Sequence, residues 1–135
     1  MSSLRLELKP SPALAAAIVI LHAVAALSVL AVVPSGAGLL LAGSLLALGG
    51  IAVWSRALLR SEGSVRALEI GAAEIAIHLA RGERLEVEVA RRRYVSSLMV
   101  ALPILRPARR TVLVTRDMLG ADSFRALRVW ALWGK

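Results

Sequence analysis

The chain contains 135 residues, and 58% of them are hydrophobic, whereas an average soluble domain has roughly 45–50%. It has no cysteine, which excludes disulfide frameworks, thiolate nucleophiles and cysteine metal sites. The formal net charge is +8, but the run from Pro10 to Ser55 has His22 as its only ionisable side chain, so a membrane anchor plus one small domain fits the length.

The chain begins with a predicted strand, LRLELKPS, in which Leu4, Leu6 and Leu8 alternate with charged residues. A period of two indicates a strand with one dry face and one wet face. Because a single strand cannot satisfy its own backbone groups, we expect residues 1–11 to join a sheet that forms later in the chain.

Two membrane-spanning helices are predicted next, over about residues 13–33 and 39–56, within a hairpin segment of residues 12–57. Each is close to the roughly 20 apolar residues that a bilayer core requires, and the sequence VPSGAG separates them. A cleavable signal peptide is the alternative, but its apolar core would be only about 7–15 residues long. Basic residues flank the spans and none lies in the turn, so both termini are predicted to be cytoplasmic, on a multi-pass membrane protein.

Small and polar residues within the spans are candidates for helix packing. Gly43 and Ala47 form a small-xxx-small pair, which allows helix backbones to approach closely, either within the hairpin or in a homo-oligomer. His22 lies at membrane depth with no carboxylate in either span, so we expect it to form a structural hydrogen bond rather than a proton relay.

After Arg60 the pattern changes to period-two alternation, and residues 62–135 are predicted to form a cytoplasmic β-rich domain. Pro103 should end its strand, form a bulge or lie at an edge, and Gly82 can take the positive φ of a hairpin loop. The five expected strands are Val65–Ile70, Glu74–Leu79, Leu85–Val89, Tyr94–Leu105 and Thr111–Thr115. The fold class is therefore α+β: a two-helix transmembrane hairpin plus a small antiparallel β-domain with a C-terminal helix.

The C-terminal helix is predicted from Phe124 to Trp133, capped by Asp122 or Ser123 and stopped at Gly134. The residues expected on its buried face are Phe124, Leu127, Trp130 and Ala131.

The flank of this helix carries candidate partner-binding residues. Arg125 and Arg128 are three positions apart and should project together. They either bind an acidic partner surface or pair with Asp117 and Asp122 inside the domain.

Two basic clusters, ARRRY and RPARR, are the sharpest charge features of the chain. Anionic lipid headgroups, an acidic protein or a nucleic acid could each be the partner of such clusters. Only Tyr94 is available nearby to stack a base, so we expect lipid contact and no nucleic acid. The candidate residues are Arg91, Arg92, Arg93, Arg106, Arg109 and Arg110.

The sequence has no enzyme signature that we recognise. His22 and His78 lie on different elements, so they do not predict a metal site. Glu86 and Glu88 share a face, but alternation along a strand accounts for that spacing without acid–base chemistry. We therefore predict no catalytic residue, no metal and no cofactor.

Taken in order, LRLELKPS, the helical hairpin and DMLGADSFRALRVWALWG resemble the YgfX-like, or CptA toxin, family of small bacterial inner-membrane proteins. The positions that match the family pattern are Pro10, Ser11, Asp117, Asp122, Phe124, Arg125, Leu127 and Arg128. The resemblance implies a non-enzymatic toxin of a toxin–antitoxin pair that acts on the cytoskeletal proteins FtsZ and MreB, and so on cell division and cell shape. It also implies a small antitoxin similar to the factor that assists flavin attachment to succinate dehydrogenase.

The alternative is a structural or assembly subunit whose hairpin packs into a larger inner-membrane complex. The abundant small residues of the spans favour this interpretation, and the basic domain favours a regulatory binding protein.

Overall fold

A computed structural model describes residues 3–71 and 74–134 of the chain. The described residues form two units, which we call the helical hairpin (Ser11–Leu58) and the sheet unit (Met1–Pro10 with Leu59–Lys135). The predicted segments 1–11 and 62–135 include residues 1, 2, 72, 73 and 135, which lie outside the described residues. Two apolar helices, an antiparallel sheet and a final helix follow one another along the chain, which confirms the expected α+β class.

The helical hairpin consists of α1 (Pro12–Val32) and α2 (Gly36–Ala52), and a π-helical turn (Val53–Ala57) continues α2. Both helices are long and apolar enough to cross a membrane by length and composition. The start of α1 is fixed by Ser11, whose hydroxyl oxygen accepts a hydrogen bond from the Leu14 amide at 3.0 Å.

The turn of the hairpin is shorter than the sequence predicts, because α2 begins at Gly36 rather than near Leu39. The glycines that were expected to break the helix instead allow a tight turn. A β-carbon on Gly38 would lie 1.8 Å from the carbonyl oxygen of Val33, so only glycine fits at this position. At the open end, the Ser11 amide donates to the Ala57 carbonyl at 2.7 Å.

The sheet unit contains a seven-stranded antiparallel sheet in the order β1-β2-β3-β4-β6-β5, and β7 pairs with β6. The strands are β1 (Leu4–Glu7), β2 (Val65–Ile70), β3 (Ile75–Leu79), β4 (Arg84–Val89), β5 (Tyr94–Val95), β6 (Met99–Arg106) and β7 (Arg110–Thr115). Gly82, in the loop between β3 and β4, has φ +90°, as its place in a hairpin loop predicts.

The first strand, which precedes the hairpin in the chain, is built into the sheet that follows it. Leu6 lies opposite Leu68 of β2, and each side chain is 2% exposed. Beyond β1, the Lys9 amide donates to the carbonyl of Met118 at 2.9 Å. The sheet unit therefore needs both ends of the chain for its core.

The segment Tyr94–Leu105, which the sequence predicts as one strand, forms two. The hydroxyl oxygen of Ser96 accepts hydrogen bonds from the amides of Leu98 and Met99, and this turn folds β5 back onto β6. Pro103 lies inside β6 opposite Thr111 of β7, so it does not end the strand. The ladder between β4 and β6 is irregular near the end of β4. Ala90 lies just beyond that end, and its amide donates to the carbonyl oxygen of Pro103 at 2.8 Å. The missing amide of proline is tolerated where that ladder is interrupted.

The chain ends in α3 (Ala121–Trp133), which begins earlier than expected. Gly120 occupies the N-cap position without a side-chain hydrogen bond, so neither Asp122 nor Ser123 is the cap. Asp122 lies in the first turn, where its charge is favourable to the helix dipole. The core that α3 completes contains Leu6, Leu68, Ile77, Val100, Leu102, Val114, Met118, Phe124 and Leu127.

Candidate functional site on the sheet unit

The two arginines proposed on the flank of α3 have different surroundings. Arg125 is exposed, whereas Arg128 is half-buried and its Nε atom is enclosed without a hydrogen-bond partner among the described residues. None of the ion pairs between described residues joins Asp122 to either arginine. Arg125 is thus available for contact with a partner, whereas Arg128 is partly enclosed by the folded sheet unit.

Asp117 lies in the short 3₁₀ turn Arg116–Met118 that connects β7 to α3. Its carboxylate accepts a hydrogen bond from the hydroxyl of Thr115, which is buried. A side chain that accepts from the residue two positions earlier holds such a turn in shape. Asp117 therefore helps to set the direction in which α3 leaves the sheet.

Arg93 holds the C-terminal end of α3. Its Nη1 atom donates to the carbonyl oxygens of Trp130 and Gly134, each at 3.3 Å, and its guanidinium carbon lies 4.2 Å from the centroid of the Trp130 ring. The last carbonyls of a helix lack partners within the helix and favour a cation. Burial lowers the pKa of Arg93, but an arginine stays protonated at neutral pH. Arg93 was expected on a lipid-binding surface, and the structure places it against α3 instead.

The remaining basic residues do not form one uniform positive surface. Arg91, Arg92 and Arg109 are exposed. Arg106 lies 3.7 Å from the carboxylate of Glu88, and Arg110 donates to the carbonyl oxygen of Gly63 at 3.0 Å.

An open depression of about 570 Å³ brings acidic and basic side chains together at the end of β4. The charged residues that line it are Glu74, Glu86, Glu88, Arg91, Arg93 and Arg106. A surface of mixed sign is a poor match for a uniformly anionic ligand, because the carboxylates repel it. Of the basic candidates, Arg92, Arg109 and Arg110 do not line the depression.

A ladder of charged side chains crosses strands β2, β3 and β4. The carboxylate of Glu69 lies 3.0 Å from Nε2 of His78 and 3.4 Å from Nε of Arg84. The hydrogen bond with His78, followed by that with Arg84, lowers the pKa of Glu69. Sequence reasoning missed this group because its members come together only through the register of three strands.

The exposed side of α3 carries large apolar side chains that the sequence analysis did not single out. Val129, Leu132 and Trp133 are 54%, 58% and 80% exposed, respectively. Together with Arg125 they are spaced as i, i+4, i+7 and i+8, which places them along one stripe of a helix. We call these four residues the α3 outer face. Next to it, Leu132 and Arg91 line a common cavity of about 410 Å³.

Of the three helix-packing candidates of the hairpin, His22 of α1 lies at the contact between the helices, and Gly43 and Ala47 of α2 do not. Gly49 packs on α1, because a β-carbon there would come within 2.8 Å of the ring of His22. The Nδ1 atom of His22 is 2.8 Å from the carbonyl oxygen of Ile18. Gly43 and Ala47 are exposed, and no described atom of α1 lies within 4 Å of the β-carbon position of Gly43. They therefore do not contribute to the contact between α1 and α2.

Within the described residues, no group of three or more His, Asp and Glu side chains is placed to hold a metal ion. The chemistry that the sheet unit presents is hydrogen bonding, charge pairing and apolar contact.

A family model described as the membrane-bound toxin component of a toxin–antitoxin system matches residues 2–135, which is nearly the whole chain. Neither the curated proteins nor the solved structures provide a match. The family match confirms the resemblance that the N-terminal strand, the hairpin and the C-terminal motif indicate. The chain therefore belongs to the CptA toxin family, the membrane-bound toxin components of toxin–antitoxin systems.

Proposed function

We propose that this toxin acts without enzymatic chemistry, by binding the cytoskeletal proteins FtsZ and MreB with a sheet unit that a transmembrane hairpin holds at the cytoplasmic face of the inner membrane. The family implies an antitoxin partner. The observation that carries the proposal is the pairing of β1 with β2 across the hairpin.

The pairing supports a hairpin that crosses the membrane twice. β1 ends just before α1, and β2 begins shortly after α2, yet the two strands share one ladder. Two strands can pair only if they are on the same side of a membrane. The number of crossings between them is therefore even, and the two helices of suitable length supply two.

The charges at the ends of the hairpin support the cytoplasmic side. Basic residues lie on both flanks of the hairpin: Arg5 and Lys9 precede α1, Arg56 lies in the π-helical turn that continues α2, and Arg60 follows that turn. The turn between the two helices has no charged residue. Positively charged flanks are retained in the cytoplasm. Reporter fusions after Ser35 and after the last residue test this orientation. Periplasmic activity of the C-terminal fusion would overturn it.

A binding mechanism is supported by what the sheet unit offers. It is a small, strongly basic unit whose exposed charged groups include arginines and paired carboxylates. Basic surfaces are attracted to acidic partners and accelerate their association. FtsZ and MreB enter as targets through the resemblance to the family, and the charge of this chain is compatible with acidic protein surfaces.

The target is tested with the full-length chain in nanodiscs, mixed with purified FtsZ or MreB filaments and sedimented. We expect the nanodiscs to reduce the amount of pelleted polymer, whereas empty nanodiscs should not. Expression in cells should produce filamentous or rounded cells, according to which target is bound. If expression arrests growth while both polymers assemble normally, the toxin acts on another target.

A second function, a subunit that packs its hairpin into a larger membrane complex, is favoured by one observation. Gly36, Gly43 and Gly50 recur every seven residues along α2, and apart from adjacent residues and the nearby backbone of α2 itself no described atom lies within 4 Å of their β-carbon positions. Exposed glycines allow another transmembrane helix to approach closely. Purification in mild detergent separates the two functions: membrane subunits that co-purify in fixed proportion support the complex, and a free monomer or dimer supports the toxin alone.

A further inference from the structure

We propose that the α3 outer face, formed by Arg125, Val129, Leu132 and Trp133, is the surface that binds the antitoxin. The antitoxin would accommodate this helix in an apolar groove with acidic residues at its rim. The proposal rests on the proposed function to the extent that the chain is a toxin restrained by a partner, and it assigns the residues that the partner contacts.

Three of the four side chains of the α3 outer face are apolar, although they are exposed and do not belong to the core. The opposite side of the helix completes the core, with Phe124, Leu127 and Ala131 each less than 10% exposed. Trp133 is 80% exposed and therefore gains little from folding of the sheet unit. Exposed tryptophan and arginine are the residue types that contribute most to protein interfaces when a partner covers them.

The spacing of the four residues matches a recognised mode of protein binding. Anchors at i, i+4, i+7 and i+8 form one narrow stripe, as on a helix that lies in the groove of a partner. A helix that lies flat on a membrane needs a broad apolar side, but the broad apolar side of α3 is turned into the sheet.

The helix is already held in place before any partner arrives. Arg93 fixes its C-terminal carbonyls and stacks on Trp130, and the Gly134 amide donates back to the Trp130 carbonyl. A rigid helix loses little conformational entropy on binding, which favours affinity.

The charges beside the apolar stripe define the partner. Arg125 is at one end of the α3 outer face, and Arg91 lines the cavity next to Leu132. Both guanidinium groups are suited to two-point contact with carboxylates. A partner that places acidic residues on both sides of an apolar groove would therefore be complementary to this surface.

The test uses the full-length chain in nanodiscs and its purified cognate antitoxin, with affinity measured by calorimetry. We expect Trp133→Ala and Leu132→Ser each to weaken binding at least tenfold, on the order of a typical interface hot spot. Leu98→Ser is the matched control: Leu98 is 68% exposed on the turn between β5 and β6 and is not part of the α3 outer face, so binding should change less than about twofold. A dissociation constant for Trp133→Ala within twofold of the wild-type value would overturn the proposal.

Photo-crosslinking identifies what covers the face. A benzophenone amino acid in place of Trp133 should form an adduct with the antitoxin when the antitoxin is saturating. An adduct only with lipid, or only with a second copy of the chain, contradicts the proposal. The salt dependence adds a second measurement: Arg125→Glu should weaken binding more at low than at high ionic strength, and an equal loss at both would rule out the charge complementarity.

Growth assays separate failure of this proposal from failure of the proposed function. In cells, the Trp133→Ala chain should still arrest growth, and co-expressed antitoxin should no longer relieve the arrest. If the antitoxin relieves it fully, the α3 outer face is not the binding surface. If the wild-type chain does not arrest growth but binds antitoxin through this face, the proposed toxic action is wrong and the docking surface remains.

Discussion

Leu6 provides a direct test of whether the sheet unit depends on the strand before the hairpin. Its side chain is 2% exposed and lies opposite Leu68, which is equally buried. Leu4 is on the same strand but is 38% exposed. Leu6→Ala and Leu4→Ala therefore remove the same atoms from one element at two different depths, and they form a matched pair.

The magnitude follows from the atoms removed. A Leu→Ala change removes three carbon atoms, and at about 0.8 kcal/mol for each buried CH₂ the lost transfer free energy is about 2.4 kcal/mol. A cavity that does not collapse adds to this, so about 3–4 kcal/mol is expected for Leu6, within the range of buried Leu→Ala changes. A small domain has only about 5–15 kcal/mol of stability in total. Leu4→Ala should cost less than half as much, because part of its side chain stays in water.

The assay is urea unfolding of the full-length chain in detergent, followed by resistance of the sheet unit to brief proteolysis. The detergent keeps the hairpin soluble, and proteolysis reports on the sheet unit. A negligible loss for Leu6→Ala, no larger than that for Leu4→Ala, would show that β1 does not contribute to the core, and the pairing of β1 with β2 would then be wrong.

Three further changes test other contacts. Arg93→Ala should lower the stability of the sheet unit by about 1–2 kcal/mol, from a lost helix-end contact and a lost cation–π contact, while Arg92→Ala should change it by less than about 0.5 kcal/mol in the same urea assay. Gly49→Ala should lower the melting temperature of the hairpin in detergent, since a β-carbon there would come within 2.8 Å of the ring of His22 on α1. Gly43→Ala is the control, and it should leave the melting temperature unchanged. Glu69→Gln should remove the contribution that the charged Glu69 carboxylate makes to the stability of the folded state. Because folding lowers the pKa of Glu69 from 4.5, this contribution is complete above pH 4.5 and is lost as the carboxylate becomes protonated. The melting temperatures of the wild type and Glu69→Gln should therefore converge as the pH falls below 4.5, and a constant difference would contradict the assignment.

Periodicity was sufficient to predict the class of the fold, because it records burial directly. The alternation in β1 and β4 matches strands with one buried side, and the uncharged run matches the two long helices. The loop at Gly82 could be predicted because its chemistry is local.

What the sequence did not predict depends on distant parts of the chain. The division of Tyr94–Leu105 into two strands requires the side chain of Ser96 in a turn, and an apolar run does not indicate where it will fold back. Arg93 was grouped with its basic neighbours because the end of α3, some 40 residues later, is its partner only in the folded structure. The same limit applies to the α3 outer face. Helical spacing suggests one apolar side, and this helix carries a second apolar stripe that folding leaves exposed.

Joining β1 to β2 through a long insertion would be costly if the insertion were flexible. The entropic cost of bringing the ends of a flexible loop together rises by only about 0.6 kcal/mol for each doubling of its length. The whole of this cost still opposes pairing of β1 with β2 until their ladder has formed. Here the insertion is itself folded, and the amide of Ser11 and the carbonyl of Ala57 at its two ends are 2.7 Å apart. Once α1 and α2 have packed, the strands are connected as though by a short turn. Formation of the hairpin therefore lowers the entropic cost of completing the sheet, which couples folding of the sheet unit to correct assembly of its anchor.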